Sequence, residues 1–97
     1  MSLRHYGCAV WGWGWVASGH INAYLKNSQC SVVGLGSRSP ESVAAKQQEF
    51  GIETAVYADF DELLADDRVD IVSICTPNRL HADEAIRAAK AGKHIFL

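Results

Sequence analysis

Apolar and polar positions alternate in blocks along the chain. Five short apolar runs read as strands: Tyr6 to Trp11, Ser31 to Gly36, Ala55 to Val56, Ile71 to Cys75 and His94 to Leu97. Between them lie four stretches of helical character: Val16 to Lys26, Pro40 to Phe50, Phe60 to Ala65 and Leu80 to Ala91. Val16, Ile21, Tyr24 and Leu25 approximate one face of the first helix, with Lys26 at its C-terminal end. Strand and helix in strict alternation imply parallel βαβ units. Right-handed crossovers then give half of a doubly wound sheet in the order 3-2-1-4-5, with helices on both faces. The expected fold class is therefore α/β and Rossmann-like, one domain over residues 1–97.

Punctuation supports these boundaries. Ser39 precedes Pro40 and Glu41, so it suits an N-cap with proline in the first helical position. Asp59 and Glu62 have capping-box spacing. Gly92 follows Lys90 and Ala91, as a glycine ending a helix should.

The first strand runs into Gly12-Trp13-Gly14-Trp15-Val16-Ala17, which reads G-x-G-x-x-A. Gly12 lets the chain turn off the strand, Gly14 leaves room for a pyrophosphate, and Ala17 is small where helix meets strand. A dinucleotide would then rest on the helix N-terminus, along Gly12, Trp13, Gly14, Trp15 and Val16. A tight turn without a ligand is the bland alternative. Trp13 and Trp15 flank the turn and would report a ligand by fluorescence; otherwise Trp15 packs on the sheet and Trp13 is exposed.

The end of the second strand refines the ligand. NAD sites place a carboxylate about 20 residues past the glycines, on the ribose hydroxyls. Here Gly36-Ser37-Arg38-Ser39 contains none. A carboxylate would repel a 2′-phosphate, whereas Ser37 and Arg38 can bind it through charge-assisted bonds worth roughly 1.5–3 kcal/mol. NADP is expected over NAD; Arg38 as a solvated surface residue is the alternative. The fourth strand ends in Thr76-Pro77-Asn78-Arg79-Leu80-His81. In an open parallel sheet, Thr76, Pro77 and Asn78 would share an edge with the glycine turn. Asn78 can also cap the next helix, and His81 can be structural or face the cofactor.

Composition changes little. A net charge of -2 offers no basis for binding nucleic acid or an anionic membrane, and no apolar run approaches a membrane span. Arg4 and His5 precede no long apolar segment, so no signal peptide is read. Ser2 and Leu3 are set aside as a possible vector-derived scar. Cys8, Cys30 and Cys75 lack metal-ligand spacing. They read as buried, reduced thiols of a cytoplasmic protein, with a reactive or metal-bound cysteine as the alternative. No metal site is expected.

Taken together, these segments resemble the N-terminal part of the Gfo/Idh/MocA (glucose–fructose oxidoreductase / inositol dehydrogenase) family. Gly12-Trp13-Gly14 through His20, Ser37-Arg38-Ser39-Pro40, Tyr57 to Leu64 running on to Val69-Asp70, and Thr76 to His81 with Ala91-Gly92-Lys93-His94-Ile95 carry the likeness. The resemblance implies hydride transfer between a nicotinamide and a sugar, polyol or related hydroxyl compound. It also implies that Thr76, Pro77 and Asn78 line the cofactor, with His81 near it. The family continues past Leu97 into Glu-Lys-Pro and a second, substrate-binding domain, so no catalytic residue is expected within this chain. It reads as a fragment that binds NADP without turnover and needs the full-length protein for a sugar-like substrate. A strand at Ile95, Phe96 and Leu97 would offer an unpaired edge, through which the chain is expected to self-associate as a homo-oligomer. A cofactor-sensing regulatory protein of the same fold is the alternative. An S-adenosylmethionine-dependent methyltransferase fits less well, because it wants an acidic residue where Ser37-Arg38 stands.

Overall fold

A computed structural model describes residues 5–97, with Pro40 described by its backbone only. Ser2, Leu3 and Arg4 lie outside the described residues. The elements are β1 (Tyr6–Gly12), α1 (Trp15–Leu25), β2 (Cys30–Gly36), α2 (Pro40–Phe50), β3 (Ala55–Tyr57), α3 (Phe60–Leu64), β4 (Ile71–Cys75), α4 (Asn78–Lys90) and β5 (His94–Phe96). The strands form one parallel sheet in the order β3-β2-β1-β4-β5, as the alternation predicts.

β1 is central, and its alternate side chains feed two cores. Ala9 and Trp11 face one side with Val72 and Ile74 of β4, under Phe60, Leu63, Leu64, Val69 and Ala88. Val10 faces the other with Leu35, under Ala17, Ile21 and Val43. Period-two alternation therefore places α3 and α4 on one face and α1 and α2 on the other. Asp70 fixes the start of this arrangement. Its carboxylate accepts from the Gly7 amide at 2.8 Å, and its own amide donates to the Gly7 carbonyl at 2.7 Å.

Several local expectations change. In α1 only Ala17 and Ile21 are buried, while Val16 and Leu25 are exposed. The apolar face of this helix is thus one narrow stripe, because Tyr24 is only half-buried beside Ile21. Ser39 has N-cap backbone geometry but no capping bond; its hydroxyl donates to Glu41 at 3.0 Å instead. Asp59 caps α3 by accepting from the Asp61 amide at 2.8 Å, so Glu62 completes no reciprocal box. α2 ends on Gly51 in the left-handed conformation, and Gly92 follows α4 at φ +79°.

All three cysteines are free, but only Cys8 is buried; Cys30 and Cys75 are half-buried. β5 pairs with β4 alone and ends at Phe96, leaving Phe96 and Leu97 exposed at the sheet edge. Among the described residues no helix is long and apolar enough to cross a membrane.

Candidate functional site

The strand order reverses between β1 and β4, so the segments after these two strands diverge and a crevice opens at their carboxyl ends. The first wall is the glycine turn. Gly12 and Gly14 adopt φ +112° and +98°, conformations that side chains rarely allow. A Cβ on Gly12 would lie 2.6 Å from the backbone of Cys75, so the ends of β1 and β4 meet there. A Cβ on Gly14 would meet nothing within 4 Å. Gly14 is also the N-cap of α1, which has no side-chain cap and no acidic residue in its first turn. The first amides of the helix therefore lack a side-chain acceptor, and the approach over Gly14 is open. That combination fits a pyrophosphate.

The second wall follows β4. Pro77 is the N-cap of α4 and Asn78 its first residue, so Asn78 does not cap. Thr76 is tied from two sides. Its hydroxyl donates to one oxygen of Glu84, and its carbonyl accepts from His81 Nε2 at 2.6 Å. The other Glu84 oxygen accepts from Trp11 Nε1 at 2.8 Å. Glu84 is a buried carboxylate, supported here by two donors. Trp11 reaches it because Gly36 has no side chain: a Cβ there would stand 2.6 Å from the indole ring. Phe60 packs on the same indole at a tilt of 41°, with ring centroids 5.2 Å apart.

Two joined recesses occupy the crevice. One, of about 330 Å³, lies between Gly14, Trp15 and Val16 on one side and Cys75 on the other. The second, of about 170 Å³, is bounded by Gly12, Ser37, Arg38, Arg79 and Leu80. Trp13, Thr76 and Pro77 line both. The structure thus brings together nine of the residues singled out from sequence: Gly12, Trp13, Gly14, Trp15, Val16, Ser37, Arg38, Thr76 and Pro77. Asn78 and His81 line neither recess. One nitrogen of the His81 ring, Nε2, is engaged with the Thr76 carbonyl.

Ser37 is buried. Its oxygen accepts from the Ser39 amide at 3.1 Å, and its own amide donates to the Tyr57 carbonyl at 3.0 Å. Trp13 and Trp15 are both exposed, so Trp15 does not pack on the sheet. Cys75 is the sole titratable side chain on the larger recess, and burial pushes its thiol up to about 11. It is accordingly a neutral thiol near pH 7. Among the described residues no cluster of His, Cys, Asp or Glu is placed to hold a metal ion.

Sequence reasoning missed Arg79 and Glu84. A charged residue in or near the first turns of a helix reads as solvated. Only the neighbourhood of β1, β2 and β4 shows that one of these residues borders the crevice and the other lies beneath it.

Residues 6–97 match a family model described as "Oxidoreductase family, NAD-binding Rossmann fold", GFO_IDH_MocA. An uncharacterized oxidoreductase, ORF334, of Rhizobium meliloti is 41% identical over 76 residues, covering 78% of this chain and 22% of the relative. D-xylose 1-dehydrogenase (NADP(+)) 2 of Haloferax volcanii is 41% identical over 72 residues, covering 74% of this chain and 22% of the relative. The crystal structure of an NAD-binding protein from Listeria innocua superposes with a TM-score of 0.84 at 32% identity, covering 95% of this chain and 26% of that one. The chain therefore spans about a quarter of the length of the proteins it matches. With the glycine turn, the strand order and this match over nearly all its length, the chain belongs to the Gfo/Idh/MocA oxidoreductase family, as an NAD-binding Rossmann domain.

Proposed function

We propose that this domain binds NADP(H) in preference to NAD(H). It would serve as the nucleotide-binding part of an oxidoreductase acting on a sugar, polyol or related hydroxyl compound. One observation carries the cofactor choice. The recess after β2 is bordered by Ser37 and Arg38, with no carboxylate on its lining. A 2′-phosphate meets a guanidinium and a hydroxyl there instead of a like charge. The Haloferax relative is named as an NADP(+) enzyme, and it shares the family at 41% identity.

In this reading Gly14 and the first amides of α1 hold the pyrophosphate, and Thr76 and Pro77 form the opposite wall. His81 supports that wall by fixing the Thr76 carbonyl. The bound nicotinamide would take the hydride from the substrate carbon when oxidised and return it when reduced. The larger recess offers no acid or base that ionises near pH 7, since Cys75 is held neutral. The chain by itself is thus a cofactor holder without turnover.

Titrating the 97-residue chain with NADP and with NAD, read by the exposed Trp13 and Trp15, tests this directly. Arg38→Ala should weaken NADP by about tenfold or more and leave NAD nearly unchanged. Equal losses for both cofactors would sink the 2′-phosphate assignment. Adding a sugar or polyol with NADP should yield no reduced cofactor, and any turnover overturns that part.

We also infer that copies associate through the free edge of β5, where Phe96 and Leu97 are exposed. Sedimentation should show concentration-dependent mass. A monodisperse monomer at high concentration counts against it.

A further inference from the structure

The described residues include four arginines, and they divide into two pairs. Arg68 is bound to Asp66 at 2.7 Å, and Arg87 to Asp61 at 2.6 Å and Asp83 at 3.4 Å. Arg38 and Arg79 make no hydrogen bond or ion pair with any described residue. These two come from different segments, one after β2 and one after β4, yet they border the same recess. No carboxylate lines that recess. Asp59 and Glu84 border a neighbouring recess that Arg38 also lines. Both are engaged elsewhere, Asp59 with the Asp61 amide and Glu84 with Trp11 and Thr76.

The fold does not reward Arg79 for its charge. It is the second residue of α4, where the helix dipole disfavours a cation, and the first turn contains no acidic residue to offset it. Two unpaired guanidiniums bordering one small recess also repel each other, weakly in water and more strongly once a ligand excludes it. An anion between them removes both penalties.

We propose that Arg79 is a second specificity determinant. With Arg38 it forms a two-sided guanidinium clamp on the 2′-phosphate of NADP, Arg38 reaching from the β2 side and Arg79 from the first turn of α4. Two forks can share the oxygens of one phosphate monoester, which a single arginine cannot fully satisfy. This rests on the reading of the crevice as a dinucleotide site.

The test uses the 97-residue chain and four ligands: NADP, NAD, 2′,5′-ADP and 5′-AMP. Arg79→Ala should weaken NADP and 2′,5′-ADP about tenfold and leave NAD and 5′-AMP within about twofold. Its thermal unfolding should match wild type or improve slightly, because a misplaced helix cation is removed. The double variant Arg38→Ala/Arg79→Ala should bind NADP no better than NAD, with a shallower dependence on salt. Equal loss for all four ligands would mean that Arg79 stacks on adenine, and unchanged NADP binding would mean that it is a solvated residue. Either result overturns the clamp. If Arg38→Ala alone discriminates NADP from NAD, the clamp fails and the dinucleotide reading stands. If wild-type protein binds neither dinucleotide, both fail together.

Discussion

The two walls of the crevice are built by opposite means. The glycine turn, residues 12–16, has almost no side-chain support: Trp13, Trp15 and Val16 are exposed, and Gly14 faces open space. Its shape is held in the backbone, by positive φ at Gly12 and Gly14 and by the closeness of Gly12 to Cys75. The opposite wall, residues 76–81, has ordinary backbone angles and is held by side chains. Glu84 and His81 fix Thr76 by its hydroxyl and its carbonyl, and Trp11 anchors Glu84 to the end of β1. A wall that must approach a pyrophosphate closely cannot present side chains, so conformation alone must define it. A wall that only borders the ligand can be braced from beneath.

If that contrast is right, the two glycines should fail differently. Gly12→Ala adds strain at φ +112° and a Cβ 2.6 Å from the Cys75 backbone. Strain of roughly 1–3 kcal/mol plus overpacking of similar size gives about 3–5 kcal/mol of lost stability. Against a total stability of about 5–15 kcal/mol that lowers the unfolding midpoint sharply, and at the low end it leaves about half of the molecules unfolded. Gly14→Ala incurs the strain alone, since nothing stands within 4 Å of the new Cβ. It should fold, with about 1–3 kcal/mol lost, and bind dinucleotide poorly because the methyl occupies the approach. Thermal unfolding and NADP titration of both variants separate these outcomes. Equal destabilisation would show that the turn is held by something other than its contact with β4.

The two walls were also unequally visible in the amino-acid order. Glycine spacing after an apolar run is local, and it locates the turn whose Gly12 and Gly14 adopt positive φ. The sheet order was equally accessible, since apolar blocks and helical stretches alternate without interruption. Apolar periodicity begins at Leu80 and places the start of α4 there. In the structure Pro77 already caps the helix and its carbonyl accepts from the Leu80 amide at 2.9 Å. Glu84 was invisible for a different reason. A mid-helix glutamate reads as solvated, and its burial depends on an indole from β1 reaching it across Gly36. Trp15 departs from its type in the other direction: it is apolar but exposed, so the alternative of packing on the sheet does not hold.

The braced wall makes the more selective prediction. Glu84→Ala leaves the Trp11 indole N–H and the Thr76 hydroxyl without their acceptor beneath the surface. Unsatisfied buried donors cost about 1–3 kcal/mol each, partly recovered by water, so a loss of about 2–4 kcal/mol is expected. Glu84→Gln can keep both links, its carbonyl accepting from Trp11 and its amide donating to Thr76, whose hydroxyl can accept. The glutamine variant should therefore stay within about 1 kcal/mol of wild type in denaturant unfolding. It should also bind NADP normally, because the geometry of Thr76 and Pro77 is preserved. A glutamine variant as unstable as the alanine one would show that the carboxylate charge, rather than the bridge, holds this wall. The two sides of the crevice would then differ in electrostatics and not only in how they are braced.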